Sequence, residues 1–222
     1  YSIDFRGSLD FRFRYSFMPE GIISRLIVRL NHLIHRQDGR QLVWRYGVIF
    51  VRDDCLAEVI QTRYSSEGHR EICVRVTGTD YRKKELLTII SYQIESIHRK
   101  SFQHINYEVL IPCNSDICTE SENPKFFALN ELNKLVGFGD SEVRCTECGE
   151  MTNIYERVAG MVPDEVRKVS SSSELDRKGL KTVAIGIQEK FANITKRYDD
   201  INMSEVTRQL LEILKTQAEH PA

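Results

Sequence analysis

The segment from residue 9 to residue 34 constrains the fold most, because an alternating strand runs directly into an amphipathic helix. Residues 9–17, LDFRFRYSF, place five apolar side chains on one face of a strand: Leu9, Phe11, Phe13, Tyr15 and Phe17. The next stretch, SFMPEGIISRLIVRL, has apolar residues at helical spacing: Ile22, Ile23, Leu26, Ile27, Leu30, Leu33 and Ile34. Pro19 suits a first helical turn. We expect this helix to continue to about His35 and to lie on a sheet.

The alternation of strand and helix patterns continues to residue 113 and predicts one α+β domain. Three runs rich in β-forming residues are joined by short turns: 42–51, 55–64 and 71–78. Such spacing is typical of an antiparallel meander. Residues 81–102 form a second amphipathic pattern, and 105–113 read as a closing strand. The order β-α-β-β-β-α-β predicts an antiparallel sheet with amphipathic helices on one face.

Arginine is unevenly distributed along the chain. Residues 1–50 contain eight arginines, no lysine and four acidic residues. The forked guanidinium group suits fixed contacts to carboxylates or aromatic rings. Arg25, Arg29 and Arg36 fall on the polar side of the first predicted helix, and a solvated face is the simpler explanation for most of these side chains.

The character of the sequence changes after residue 112. We divide the chain into an α+β domain at 1–112, a cysteine-rich segment at 113–160, and a linker with a helical tail at 161–222. In the tail, seven residues follow a heptad spacing: Leu180, Ala184, Ile187, Phe191, Ile194, Tyr198 and Ile201. A last helix is predicted from about Ser204 to Lys215, with four residues facing inward: Val206, Leu210, Leu211 and Leu214.

Four of the six cysteines form two pairs with metal-ligand spacing. Cys113 and Cys118 are separated by four residues, and Cys145 and Cys148 form a C-T-E-C-G turn. Two loops that each supply two thiolates can complete a tetrahedral, structural zinc site, and four thiolates leave no open position for catalysis. Two alternatives stay open: four reduced thiols without metal, or a redox dithiol, which would need a strand before the C-T-E-C segment and a helix after it.

Composition and missing motifs exclude several classes of protein. The 222 residues carry a net charge of −1, so no overall field attracts nucleic acid or an anionic membrane. No apolar run is as long as a membrane span, and the first residues do not have the pattern of a signal peptide. Cysteine use indicates a reducing, cytoplasmic compartment. The sequence contains none of the common catalytic or nucleotide-binding motifs, so we expect a protein that binds or organises rather than an enzyme.

Two motifs resemble the second (B) half of the COR domain, C-terminal of Roc, of Roco proteins. The first is carried by Pro19, Gly21, Ser24, Arg25, Leu26, Ile27 and Arg29, and the second by Trp44, Arg45 and Gly47. The resemblance covers about residues 9–118, and Ile111-Pro112-Cys113 is similar to the prokaryotic branch. It implies an upstream Ras-like GTPase domain (Roc), the first COR half, and a homodimer that brings two GTPase domains together. We expect the dimer interface on the sheet and on the arginine-bearing helix.

An alternative function is a zinc-dependent fragment that binds nucleic acid or another protein. The C-T-E-C-G turn and the arginine excess in residues 1–50 favour it. The near-neutral net charge and the lack of a lysine-rich stripe oppose nucleic acid binding.

The only tryptophan, Trp44, lies on a predicted strand near Val43 and Tyr46. We expect it to be buried against the apolar face of the helix at 22–30. Truncation to alanine would then cost about 3–5 kcal/mol, as for other core aromatic residues.

Overall fold

The structure is a computed structural model that describes residue 5 and residues 7–62, 69–113, 115–119, 125–162 and 205–219. The chain forms two compact units, Tyr1–Glu108 and Val109–Ala222. The predicted heptad helix at 180–201 lies outside the described residues. Among the described helices, none combines the length and apolar character needed to cross a membrane.

The first unit is an antiparallel sheet with two helices. Its elements are β1 (Leu9–Tyr15), α1 (Ile22–Arg29), β2 (Arg36–Gln37), β3 (Arg40–Gln41), β4 (Val43–Trp44), β5 (Gly47–Arg52), β6 (Cys55–Thr62), β7 (Arg70–Thr77) and α2 (Asp80–Ser101). Five strands follow the order β4-β5-β6-β7-β1, and each neighbouring pair is antiparallel. The short β2–β3 hairpin forms a separate sheet. This architecture confirms the α+β prediction.

The core of the first unit lies between α2 and one face of the sheet. Strand β1 alternates buried and half-buried residues, and Phe11 and Phe13 stand opposite Val74 and Ile72 of β7. Helix α2 packs on β1, β6 and β7. It contributes a fully buried stripe: Leu86, Ile90, Ile94 and Ile97. Apolar alternation in the strands and helical periodicity in α2 therefore meet in one core, as the sequence pattern predicts.

Helix α1 is shorter than predicted, because it ends at Arg29 rather than near His35. Leu30 departs from helical geometry with φ −105° and ψ 25°, and a turn of 3-10 helix follows at Asn31–Leu33. Ile34 is already extended and forms a β-bridge with Phe50 of β5. The bridge requires an extended backbone, so the buried Leu33 and Ile34 keep the apolar spacing of a helix without belonging to one.

The arginines of α1 attach this helix to α2. The Arg29 guanidinium donates to Ser96 Oγ at 2.8 Å and to Gln93 Oε1 at 3.4 Å. Arg25 donates to Ser101 Oγ at 3.1 Å, and its guanidinium carbon lies 5.5 Å from the Phe102 ring centroid. The expectation of a solvated face is therefore wrong for the half-buried Arg29, whereas Arg25 is exposed although it contacts α2.

Two further arginines, on β1, hold a buried carboxylate. Arg12 and Arg14 each donate to Glu71 of β7 at 3.1 Å, and the Glu71 side chain is only 2 % exposed. Both arginines lie on the face of β1 opposite its apolar residues. These ion pairs neutralise part of the arginine charge in residues 1–50, so the structure weakens the alternative of a nucleic-acid-binding fragment.

Phe17 is not part of the buried face of β1, which corrects the prediction for this residue. Strand β1 ends at Tyr15, and Phe17 lies two residues beyond it with 78 % of its surface exposed. The backbone is no longer paired at residue 17, so the alternation of the strand does not direct this side chain into the core.

Trp44 is also misplaced by the sequence prediction. It is 41 % exposed on the two-residue edge strand β4 and is not buried in the core. Its indole covers the backbone of Gly47, where an added Cβ would come within 2.4 Å of the ring. The indole therefore leaves no room for a side chain at the glycine of the W-R-x-G motif. Because Trp44 is partly exposed, we expect its truncation to cost less than truncation of a fully buried aromatic residue.

Replacing Gly47 with alanine should displace the indole, because the new methyl group would overlap the ring. Since Trp44 is the only tryptophan, we expect a red-shifted emission maximum and stronger acrylamide quenching in Gly47→Ala. Gly137→Ala is the matched control, because its Cβ would meet no atom within 4 Å. Unchanged emission in Gly47→Ala would contradict the packing of Trp44 on Gly47.

A buried histidine lies between α2 and the sheet. His98 is 3 % exposed, and its Nε2 is 2.9 Å from the Tyr15 hydroxyl. Its ring also contacts the rings of Phe13 and Tyr107. Burial, with a smaller contribution from the neighbouring Arg99 charge, lowers the pKa of His98 to about 4. The imidazole is therefore neutral in the folded protein at neutral pH.

The lowered pKa of His98 predicts a loss of stability in mild acid. The unfolded chain binds the proton more tightly, so the stabilisation is complete above pH 6.5 and is lost as the pH falls from 6.5 to about 4. The contribution is on the order of 3 kcal/mol. Urea unfolding followed by Trp44 emission should show that the free energy of unfolding decreases over this pH range, and His98→Phe should remove the contribution of His98 to the decrease. A decrease of the same size in His98→Phe would exclude His98 as its source.

Most described elements of the second unit are short, and this unit contains the four clustered cysteines. Its elements are β8 (Tyr107–Pro112), which starts at the boundary, α3 (Asp116–Thr119), β9 (Phe126–Ala128), α4 (Leu129–Gly137), β10 (Glu142–Arg144), β11 (Met151–Asn153), α5 (Ile154–Ala159) and α6 (Glu205–Glu219). Strand β8 pairs with β9, and β10 pairs with β11. Helix α6 packs on α4 and α5 and buries the four residues predicted to face inward: Val206, Leu210, Leu211 and Leu214.

Candidate metal centre

Two loops of the second unit carry the four cysteines. Cys113 follows β8, and its N–H donates to the Lys125 carbonyl at 2.8 Å. Cys118 lies on the short helix α3. Backbone hydrogen bonds therefore fix the start of this loop, while α3 turns the chain so that Cys118 faces the same side as Cys113.

The second pair lies in the turn between β10 and β11. The Cys145 N–H donates to the Glu150 carbonyl at 2.8 Å, and the Gly149 N–H donates to the Cys145 carbonyl at 3.0 Å. Gly149 has a φ of 75°, in the left-handed region that favours glycine. The glycine of C-T-E-C-G thus closes the turn that brings Cys145 and Cys148 together.

The four sulfurs converge on one point. All four Sγ atoms lie within 4.8 Å of one another. Two of the separations are 3.6 Å, between Cys118 and Cys145, and 3.9 Å, between Cys113 and Cys148, and all four cysteines are free thiols. Four thiolates at about 2.3 Å from one tetrahedral ion are about 3.8 Å apart. The cluster could therefore hold a metal ion.

Neighbouring side chains support the cysteine loops. The buried Thr152 hydroxyl is 3.7 Å from Cys113 Sγ. Arg157 of α5 donates to the Pro112 carbonyl at 2.8 Å, and Arg144 donates to the Gly149 carbonyl at 3.2 Å. Thr152 and Arg157 could not be predicted from the sequence, because neither has a fixed spacing from the cysteines.

The thiols differ in how readily they ionise. Burial raises the pKa of Cys118 to about 12 and also raises the pKa of Cys113. The pKa of Cys148 is lowered to about 7, mainly by a backbone hydrogen bond from Glu150. Buried thiolates are unfavourable without a nearby positive charge, and a bound cation would supply that charge at the centre of the cluster.

The other two cysteines do not belong to this cluster. Cys55 lies on β6 and Cys73 on β7, both in the first unit, and burial raises the pKa of Cys73 to about 11. The redox-dithiol alternative also lacks its structural setting, because the segment from Cys145 to Cys148 connects two strands of a hairpin and no helix follows it directly.

The first unit contains a separate cleft of about 520 Å³. Its lining combines the start of α1 with the β4–β5 turn and the ends of two strands: Glu20, Gly21, Ile23, Ser24, Arg45, Tyr46, Gln61 and Arg70. The cleft therefore lies between the two segments that carry the proline-glycine and W-R-x-G motifs.

A comparison with protein families assigns the chain. A family model described as C-terminal of Roc, COR-B domain, matches residues 6–159. The match spans more than half of the 222 residues, and the chain belongs to the COR-B family. COR-B is an accessory domain of Roc in Roco proteins and is not itself a catalytic domain. The match extends beyond the resemblance at 9–118 and includes all four clustered cysteines. No curated protein matches the chain.

Proposed function

We propose that this chain is a non-catalytic dimerisation and GTPase-coupling module of a prokaryotic Roco protein. In this proposal, two copies pair through their first units and thereby position an upstream Roc domain and first COR half in each protomer. Membership in the COR-B family carries the proposal. The alternating sheet and the α1–α2 helix pair provide a rigid support on which a partner domain can be placed.

Exposed apolar side chains on the first unit support a protein-binding role. Four of them lie near α1 or on β4: Phe17, Val28, Val43 and Trp44. Phe17 and Val28 are 78 % and 76 % exposed, although most large apolar side chains of this unit are buried. Contiguous exposed apolar surface is typical of interaction sites, and Val43 and Trp44 are adjacent on β4.

We place the dimer contact at strand β4, at the edge of the five-strand order in the first unit. An edge strand offers backbone donors and acceptors to a second chain, and β4 also carries the exposed Trp44 and Val43. Tryptophan is enriched among the residues that dominate interface energies. A two-fold axis beside β4 would place the same surface of each protomer against the other.

Substituting Trp44 with alanine should weaken the dimer, because it removes the largest exposed apolar group of β4. Analytical ultracentrifugation at tens of micromolar should show a dimer for the unmodified chain and a dissociation constant raised at least about 30-fold, or 2 kcal/mol, in Trp44→Ala. The matched control is Phe138→Ala, which removes an 86 % exposed aromatic side chain from the second unit.

Two results would contradict this placement. A sharp monomer for the unmodified chain at these concentrations would reject dimerisation by this chain. A dimer that Trp44→Ala leaves unchanged, with an unchanged far-UV spectrum, would reject β4 as the interface.

We also propose that Cys113, Cys118, Cys145 and Cys148 hold one structural Zn²⁺. The sulfur–sulfur distances and the all-thiolate ligand set support zinc, and four protein ligands leave no position for a reacting water. The ion would join the loop after β8 to the β10–β11 turn. Metal binding would then be part of the folding of residues 113–150.

Elemental analysis should find one zinc per chain. Cys145→Ser should release most of it, because it removes a buried thiolate ligand, yet most of the far-UV signal should remain because the first unit has its own core. Cys73→Ser is the control and should keep its zinc. Protein purified without metal, in which all four clustered thiols titrate freely in the native state, would reject the site.

A further inference from the structure

One of the four clustered cysteines is less buried than the other three. Cys113, Cys118 and Cys145 are at most 2 % exposed, whereas Cys148 is only half-buried. Cys148 lies in the β10–β11 turn between the exposed residues Glu147 and Gly149. Cys148 is therefore the clustered cysteine nearest to solvent, and the one that we expect a small reagent to reach first.

Cys148 also has a second thiol within easy reach. Its Sγ lies 3.9 Å from Cys113 Sγ, and a disulfide bond requires about 2.05 Å, so the two sulfurs must approach by about 2 Å. Cys148 is followed by Gly149, which adopts a φ of 75° in the turn. The less buried Cys148 and the fully buried Cys113 are in position to act as attacking and resolving thiols.

We propose that Cys148 is an oxidation site for hydroperoxides and that its oxidation expels the metal by forming a Cys113–Cys148 disulfide. This inference rests on the metal centre proposed above. It assigns a specific order to the four thiols: Cys148 reacts first, Cys113 resolves, and the buried pair of Cys118 and Cys145 reacts only with a second equivalent of oxidant.

The reaction balances with one hydroperoxide per disulfide. The Cys148 thiolate attacks the terminal oxygen of ROOH, so that an S–O bond forms, the O–O bond breaks, and ROH leaves with a proton from water. The Cys113 thiolate then attacks the Cys148 sulfur. An S–S bond forms, the S–O bond breaks, and hydroxide leaves and is protonated to water. Two thiolates lose two electrons in total, and the peroxide is reduced.

Loss of two thiolates would leave the ion with two cysteine ligands, Cys118 and Cys145. Two ligands cannot hold Zn²⁺ in the closed tetrahedral geometry that stabilises a structural site. The new disulfide would still tie the loop after β8 to the β10–β11 turn. Oxidation would therefore replace the metal link between the two loops with a disulfide link. A thiol reductant with added Zn²⁺ would restore the metal link.

The first test follows zinc release from the zinc-loaded chain after addition of hydrogen peroxide, with a chromophoric chelator as the reporter. Dimedone traps sulfenic acid, and peptide mass spectrometry locates the adduct and the disulfide. We expect the first adduct on Cys148, one disulfide between Cys113 and Cys148, and one zinc released per disulfide. An earlier adduct on a buried ligand, a Cys145–Cys148 disulfide, or retained zinc after oxidation of Cys148 would overturn the proposal.

A substitution of Cys148 tests its special position. Cys148→His keeps four ligands of a type that zinc accepts but removes the least buried cysteine of the cluster, so peroxide should release its zinc at least about 10-fold more slowly. Cys73→Ser is the control, because Cys73 lies on β7 of the first unit, outside the cluster, and this variant should release zinc at the original rate. Equal release rates in Cys148→His and in the unmodified chain would overturn the proposal.

The zinc content before oxidation separates the two proposals. A chain that contains no zinc as purified, and takes up none, overturns both the metal centre and the oxidation site. A chain that holds zinc but keeps it under peroxide overturns only the oxidation site. If Cys148→His fails to bind zinc, the dimedone map of the unmodified chain decides the order of reaction.

Discussion

The burial of α2 against one face of the sheet is the interaction on which the first unit depends. Leu86, Ile90, Ile94 and Ile97 form a fully buried stripe, and β1, β6 and β7 supply the opposing apolar face. Helix α1 is too short to be stable alone, and Arg25 and Arg29 attach it to α2 by hydrogen bonds. The position of α1 and of the cleft beside it therefore follows from the position of α2.

The two units use different means of stabilisation. The first unit has an apolar core between a sheet and a long helix. In the second unit, the described helices α4, α5 and α6 pack together, while the cysteine loops contain strands of only three residues in β10 and β11. Such short strands gain little from pairing alone, and a metal ion would add cohesion where the apolar contacts are few.

Much of the fold follows from local patterns that the sequence displays. The alternation in β1 and the periodicity of α2 predict their buried faces, and the cysteine spacing predicts which four sulfurs converge. Phe17 and Trp44 were predicted incorrectly because their exposure depends on where a strand ends and which edge is covered. The length of α1 was wrong because the bridge from Ile34 to Phe50 is a long-range contact. Spacing also cannot reveal that Cys148 is the least buried of the four clustered cysteines.

We propose that this COR-B chain pairs with a second copy through β4. Hydrogen exchange measured at low and high protein concentration tests it most directly, because exchange of the interface amides must slow as the dimer forms. We expect slower exchange at high concentration for the amides from Val43 to Gly47, with no change in α4. Exchange at β4 that is independent of concentration, in a sample that is dimeric by ultracentrifugation, would contradict the claim.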